Sequence, residues 1–326
     1  SLYRKSLRTE YPFVSFRFAI ELIMKNLLAK TIRGVVVVLS VFPLRFHYFM
    51  GDILSWLIRN VARYRSGLVM LNLSRSFPEL KYKQVKKIHD SFYRHLGEIV
   101  AEAIWFGGST YEKIRKKGLV TLTNAKEISE IFDSTPSMTV LCTHCGNWEI
   151  LGGFLGYKTL DGEKLTIPET AISVVYKKLT SDVADRFFAL NRAAPLEIVG
   201  TDCMVESHNI LRYAIKHRGE RRMYIYPTDQ APYWGSGRHP IGTFMSQETT
   251  AMLGSVGVAC KMSHSVVYAK MKHVERGRYE MTFIPICLDA STMSPEDIMR
   301  KYYDLLEEEI RETPHNWLWS HNRWKW

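Results

Sequence analysis

Cysteine is scarce in this chain of 326 residues, and the five copies (Cys142, Cys145, Cys203, Cys260 and Cys287) are odd in number and set within apolar runs. That pattern excludes a disulfide framework and fits a reducing compartment. Cys142-Thr-His-Cys145 has the spacing of half a zinc site, but no second ligand pair is spaced to complete it, so no metal is expected. Long apolar runs are missing too: the uncharged stretch from Gly34 to Leu44 falls well short of the roughly 20 residues a spanning helix needs. Internal repeats and low-complexity linkers are absent, and a composition of 46% hydrophobic and 24% charged residues excludes a disordered chain. Acidic residues are in deficit. Against 44 Lys and Arg stand 33 Asp and Glu, a net charge of +11 that implies an anionic partner.

The excess is concentrated. Residues 1–65 carry eleven Lys and Arg against Glu10, Glu21 and Asp52, so eight of the eleven net charges lie in the first fifth of the chain. Three apolar segments share this region, Phe16 to Leu28, Gly34 to Leu44 and Phe46 to Ile58, each punctuated by Lys or Arg. Apolar segments edged with cations suit helices lying in a bilayer interface better than spanning ones. Each cation near an anionic leaflet contributes about 1 kcal/mol. Residues 1–65 are therefore expected to form a membrane-associated helical segment, and residues 66–326 the catalytic domain.

Downstream, Leu80 to Phe106 has a helical period, with short helices expected over Thr110 to Lys117 and Asn124 to Phe132. From residue 138 strands and helices alternate. Strands are expected at 139–143, 171–176, 196–199, 222–226, 265–271 and 279–286, and helices at 181–191 and 204–217. Ser294-Pro295-Glu296-Asp297 supplies a cap, a first-turn proline and two acids for a last helix ending near Thr313. The alternation predicts an α/β fold, a mixed sheet with helices on both faces.

Cys142-Thr-His144-Cys-Gly-Asn147-Trp-Glu149 follows the first of these strands. A histidine there sits at the carboxyl edge of the sheet, where open α/β sheets bind ligands. Glu149, expected one turn into the next helix, would face back to the imidazole and fix its tautomer while His144 takes a proton from an alcohol. Backbone amides around Asn147 are candidates for stabilising the negative charge that develops.

The block His144-Cys-Gly-Asn-Trp-Glu149 resembles the H-x-G-N-W-E motif of the bacterial lipid A biosynthesis acyltransferases, within the lysophospholipid acyltransferase-like superfamily. Further blocks agree in order: Asn72-Leu-Ser-Arg-Ser-Phe-Pro-Glu79, Phe92-Tyr-Arg-His95, Val175-Tyr176-Lys177, the Arg192 region, Asp229-Gln230, Thr243-Phe244, and Trp317-Leu-Trp-Ser-His-Asn-Arg323. The resemblance runs from about residue 35 to the end. It implies a glycerolipid acyltransferase-like fold, with His144 as base on a lipid hydroxyl and Glu149 as its orienting partner. Arg192 would touch the dyad carboxylate or a substrate phosphate, and Asp229 and Gln230 would hold structure or position substrate. The donor would be a fatty acyl thioester on acyl carrier protein and the acceptor a lipid A precursor, with no cofactor beyond the thioester co-substrate. The place implied is the cytoplasmic face of a bacterial inner membrane, held monotopically or by a single N-terminal anchor. Departures are Cys145, where bulkier residues are commoner, and Ala193-Ala194 after Arg192.

A lysophospholipid, glycerolipid or aminolipid acceptor is the nearest rival. A nucleic-acid partner is not expected, since no recognition motif and no basic stripe accompany the charge. Lys177 is assigned to lipid phosphate and Tyr176 to the substrate site. Trp317, Trp319, Trp324 and Trp326 crowd the last ten residues, and packing on the core is the better expectation for the first two. Met245 to Met262 reads as core at helical spacing rather than as an acyl channel.

Overall fold

Parallel strands buried on both sides need cover from two layers, and this chain supplies it from the helices between them. The computed structural model describes residue 21, residues 23–233 and residues 235–325. In chain order the elements begin with α1 (Ile23–Leu39), α2 (Leu44–Trp56, extended by a π turn over Leu57–Val61), α3 (Ser66–Ser76), α4 (Tyr82–Phe106) and α5 (Tyr111–Lys117). The alternating region follows as β1 (Val120–Leu122), α6 (Ala125–Ser134), β2 (Met138–Cys142), β3 (Lys158–Thr159), β4 (Ile172–Tyr176), α7 (Asp182–Arg192), β5 (Met204–Glu206), α8 (Ile210–Lys216) and β6 (Met223–Pro227). The chain closes with β7 (His239–Phe244), β8 (Gln247–Ala251), α9 (Gly254–Met262), β9 (Ser265–Glu275), β10 (Arg278–Cys287) and α10 (Pro295–Glu312).

Eight strands form one sheet in the order β3-β1-β10-β9-β2-β6-β4-β5, and β7 pairs with β8 separately. Every pairing in the large sheet is parallel except the β9–β10 hairpin. Successive side chains point to opposite faces. Val140, Cys142, Met223, Val267 and Ala269 enter one core with α5, α6 and the end of α4. Leu141, Tyr224, Tyr226, Val266 and Tyr268 enter the other with α3, α8, α9 and α10. This is the expected mixed sheet with helices on both faces. The capping signal at the last helix also holds, since the Ser294 side chain accepts from Asp297 N behind Pro295.

Two expectations are corrected. Residues 196–199 form no strand, because the buried Glu169 carboxylate takes the backbone donors of Ile198 and Val199 at 2.6 and 2.9 Å. The edge strand is instead β5, so the helix expected from 204 starts only at Ile210. Within Met245–Met262, β8 precedes α9, and Met245 is buried in the core as expected. Trp317 and Trp319 are buried as well, whereas Trp234 and Trp326 lie outside the described residues.

At the N-terminus, the segment from Phe16 falls partly outside the described residues, and α1 continues across Lys30 and Arg33. It breaks before Pro43, and α2 turns away by 119°. No single described helix is long and apolar enough to cross a membrane; this bent pair passes by length and composition together. Its outer faces expose Val35, Val38, Val41, Phe42, Phe49 and Trp56, while its inner faces lie on the catalytic body. The contact of α2 with α4 is made through backbone: a Cβ on Gly97 would stand 2.4 Å from the Gly51 carbonyl oxygen, and one on Gly51 2.6 Å from that of Gly97. Tyr48 of α2 donates to Glu102 of α4 at 2.7 Å, and Arg276 clasps Asp52 at 2.6 and 3.0 Å. Gly97→Ala is therefore expected to cost about 1–3 kcal/mol by overpacking, read as a lowered thermal midpoint, whereas Gly34→Ala, helical and with open space around it, does not lower the midpoint.

Candidate active site

β2 and β6 run side by side with Cys142 opposite Pro227. Two residues beyond that pair each strand delivers a side chain, His144 from one and Asp229 from the other. Parallel register thus joins residues 85 apart in the chain, with His144 Nδ1 at 2.7 Å from Asp229 Oδ1. Asp229 Oδ2 accepts from the His144 backbone N at 3.0 Å and from Trp317 Nε1 at 2.8 Å. Burial alone would raise the Asp229 pKa. The His144 imidazole and the hydrogen bonds from His144 and Trp317 outweigh that and hold it at about 2. An anion at Nδ1 fixes a ring hydrogen there, which leaves the Nε2 lone pair as the base. The Gln230 amide stands 3.2 Å from that nitrogen. His321, whose pKa burial lowers to about 4, stays neutral and accepts from Ala231 N at 3.1 Å, bracing the loop after Gln230.

Glu149 is engaged elsewhere. Its carboxylate receives Arg192 through Nε at 2.9 Å and Nη2 at 2.7 Å, and Trp148 Nε1 at 2.9 Å. The expected His144–Glu149 hydrogen bond does not form; the imidazole nitrogen it would have used is taken by Asp229. The reason is local. After the loop the chain enters 3-10 turns over Trp148–Gly156 rather than an α-helix, with the Asn147 side chain accepting from Glu149 N. Gly152 lets the Arg192 carbonyl approach to where a Cβ would stand 2.0 Å away, and this seats the end of α7 over Glu149. Of the two contacts expected for Arg192, the structure shows the one with this carboxylate.

Asn147 is a buried anchor. Its amide donates to Glu102 at 2.8 Å and to the Ile99 carbonyl at 3.3 Å, which uses both of its hydrogens and leaves none for substrate. The backbone amides nearby are occupied too: Cys145 N by Thr143 Oγ1, Gly146 N by Asn316, and Asn147 N by the Met271 sulfur. The amides expected to meet developing negative charge here are thus turned inward, and the side-chain donor next to the imidazole is the Gln230 amide.

Beside His144 lies a mostly apolar cavity, lined by Trp148, Leu151, Phe154, Val174, Leu196 and Ile225, with Tyr176 and Arg192 also on its wall. Tyr176 therefore lies at the site as expected. Lys177 turns outward, its ammonium 4.0 Å from the centre of the Tyr233 ring. The sequence pattern assigns neither the imidazole partnership of Asp229 nor this cavity. The equal offset of His144 and Asp229 beyond their strands emerges only with the observed bounds, Met138–Cys142 and Met223–Pro227.

A histidine held by a carboxylate, at the carboxyl edge of the sheet and beside an apolar cavity, has the chemistry to accept a proton next to a hydrocarbon-sized space. The chain belongs to the bacterial lipid A biosynthesis acyltransferase family, whose model matches residues 21–326. It is thereby an acyltransferase with a lipid A-type substrate. No curated protein matches the chain.

The two carboxylates separate by mutation. Asp229→Asn should lower the transfer rate by about 10²- to 10⁴-fold, the usual worth of general-base catalysis. Glu149→Gln keeps an acceptor for Arg192 and should cost distinctly less. Initial rates on both variants check this, with thermal unfolding as the folding control; the reverse ranking would return the orienting role to Glu149.

Proposed function

We propose that the protein transfers a fatty acyl group from an acyl carrier protein thioester to a hydroxyl of a lipid A precursor, at the cytoplasmic face of a bacterial inner membrane. The observation that carries this reading is the His144 imidazole, bound at Nδ1 by Asp229 and lining the apolar cavity. The acceptor hydroxyl takes the place of Gln230 at Nε2 and gives up its proton as the oxygen attacks the thioester carbon. Asp229 stabilises the imidazolium that results. The tetrahedral oxyanion meets the Gln230 amide and the Arg192 guanidinium, which Glu149 holds at the cavity rim. Collapse breaks the C–S bond, and the imidazolium returns the proton to the departing thiolate. The acyl chain lies in the cavity below, and no metal or cofactor enters these steps. Lys177, exposed beside Tyr233, is assigned to acceptor phosphates.

Residues 1–65 act as the membrane-associated segment in this proposal. The support is the distribution of exposed apolar side chains on α1 and α2, interleaved with Lys30, Arg33 and Arg45. That arrangement suits a helix pair lying in the interface of an anionic bilayer.

Purified protein incubated with a mixture of acyl carrier protein thioesters and either a lipid A precursor or a lysophospholipid tests the chemistry by product mass. An acyl gain on the lipid A precursor, lost in His144→Ala, is expected; a gain on lysophospholipid alone would transfer the enzyme to glycerolipid acylation. For the membrane segment, the double variant Val38→Asp/Phe49→Asp should float poorly with anionic vesicles while its thermal midpoint holds. Undiminished flotation would refute that assignment.

A further inference from the structure

On the far side of the catalytic loop from Asp229 lies a second cluster of titratable side chains that the acyl-transfer chemistry does not use. We propose that His95, Glu98 and His273 form a binding site for a late first-row divalent cation of the zinc class. His95 and Glu98 sit one turn apart on α4, and His273 comes from β9. Glu98 Oε2 lies 3.5 Å from His95 Nδ1 and 3.5 Å from His273 Nε2. A tetrahedral zinc site with bonds of 2.0–2.1 Å places its ligand atoms about 3.4 Å apart, so two edges of the tetrahedron already exist. All three atoms fall within 4.8 Å of one another. Separations of this size are long for hydrogen bonds. His273 Nε2 is buried with no hydrogen-bond partner among the described residues, which is the condition of a donor atom awaiting a cation.

The outer contacts prepare each ligand. His95 Nε2 faces the Gly146 carbonyl at 3.2 Å, an acceptor only, so the ring hydrogen sits there and Nδ1 presents its lone pair. His273 Nδ1 stands 3.2 Å from His315 Nε2; donating there, it leaves Nε2 bare. Glu98 Oε1 accepts from Arg276 Nε at 2.8 Å, which leaves Oε2 for the ion. Arg276 does not cancel the carboxylate, because Asp52 already pairs with its two terminal nitrogens. Two imidazoles and a carboxylate make the ligand set of zinc and its neighbours, not of magnesium or calcium. The fourth position opens on a cavity of about 330 Å³ that Ser91 and Arg94 also line, room for a water molecule. Through the Gly146 carbonyl the ion would brace the loop that carries His144.

The test uses the full-length protein, purified without a polyhistidine tag and dialysed against metal-free buffer. Zn²⁺ is added, excess is removed, and metal content is measured; Co²⁺ serves as the spectroscopic probe. About one zinc per chain is expected in the native protein and in His144→Ala, with loss of most of it in Glu98→Gln and His273→Gln. Zn²⁺ should also raise the thermal midpoint of the native protein by mass action, a readout that survives if the variants fail to fold. Undiminished zinc in a folded Glu98→Gln protein would overturn the proposal. So would native protein that retains no metal and shows no Co²⁺ absorption or Zn²⁺-dependent shift. A midpoint that answers to inorganic phosphate and not to Zn²⁺ would recast the cluster as an anion pocket and overturn it equally. None of these readouts involves acyl transfer, so they stand or fall apart from the enzyme's assigned chemistry.

Discussion

The buried carboxylate of Asp229 ties together side chains and backbone from three parts of the chain that are distant in sequence. It accepts from the backbone and ring of His144 at the end of β2, sits itself at the end of β6, and accepts from Trp317 in the C-terminal segment. A buried anion is tolerable only when its lone pairs are satisfied, and three donors at 2.7 to 3.0 Å meet that condition. The His144 ring is therefore oriented by the same bonds that close the fold. That explains why Trp317 and Trp319 are interior: Trp317 must reach Asp229, and Trp319 packs at right angles to it.

Strand register does the rest of the positioning. Because β2 and β6 are parallel neighbours, equal offsets beyond Cys142 and Pro227 put their side chains at the same edge. An antiparallel pair would have sent them to opposite ends of the sheet. The second carboxylate, Glu149, is left to hold Arg192, so the motif's two named residues bond to different partners, His144 to Asp229 and Glu149 to Arg192.

Much of this architecture is legible in the amino-acid order alone. Period-2 and period-3.6 patterns locate β2, β4, β6, β9, β10 and α10, and the block from His144 to Glu149 marks the site. What escapes depends on partners far away in sequence. Asp229 stands out as part of a recognisable pair, but only sheet register shows that it, not Glu149, meets the imidazole. The stretch 196–199 has the composition of a strand, and the distant Glu169 carboxylate takes the backbone donors a strand would need. His95 and Glu98 stand at helical spacing in plain view, yet His273, which gives them meaning, arrives on a strand from the other half of the chain.

The 25-residue helix α4 joins the outermost and innermost parts of the molecule. At Gly97 it meets the backbone of α2, and one and a half turns on, at Glu102, it receives both Tyr48 of α2 and Asn147 of the catalytic loop. At 1.5 Å per residue these points are about 7–8 Å apart along a single rigid rod. Carbonyl oxygens wedged against glycines leave α2 no freedom to slide. The elevation of His144 above the apolar faces of the helix pair is consequently a constant of the architecture. Such a molecule works like a depth gauge: whatever surface those faces rest upon, the imidazole stands at one set height above it.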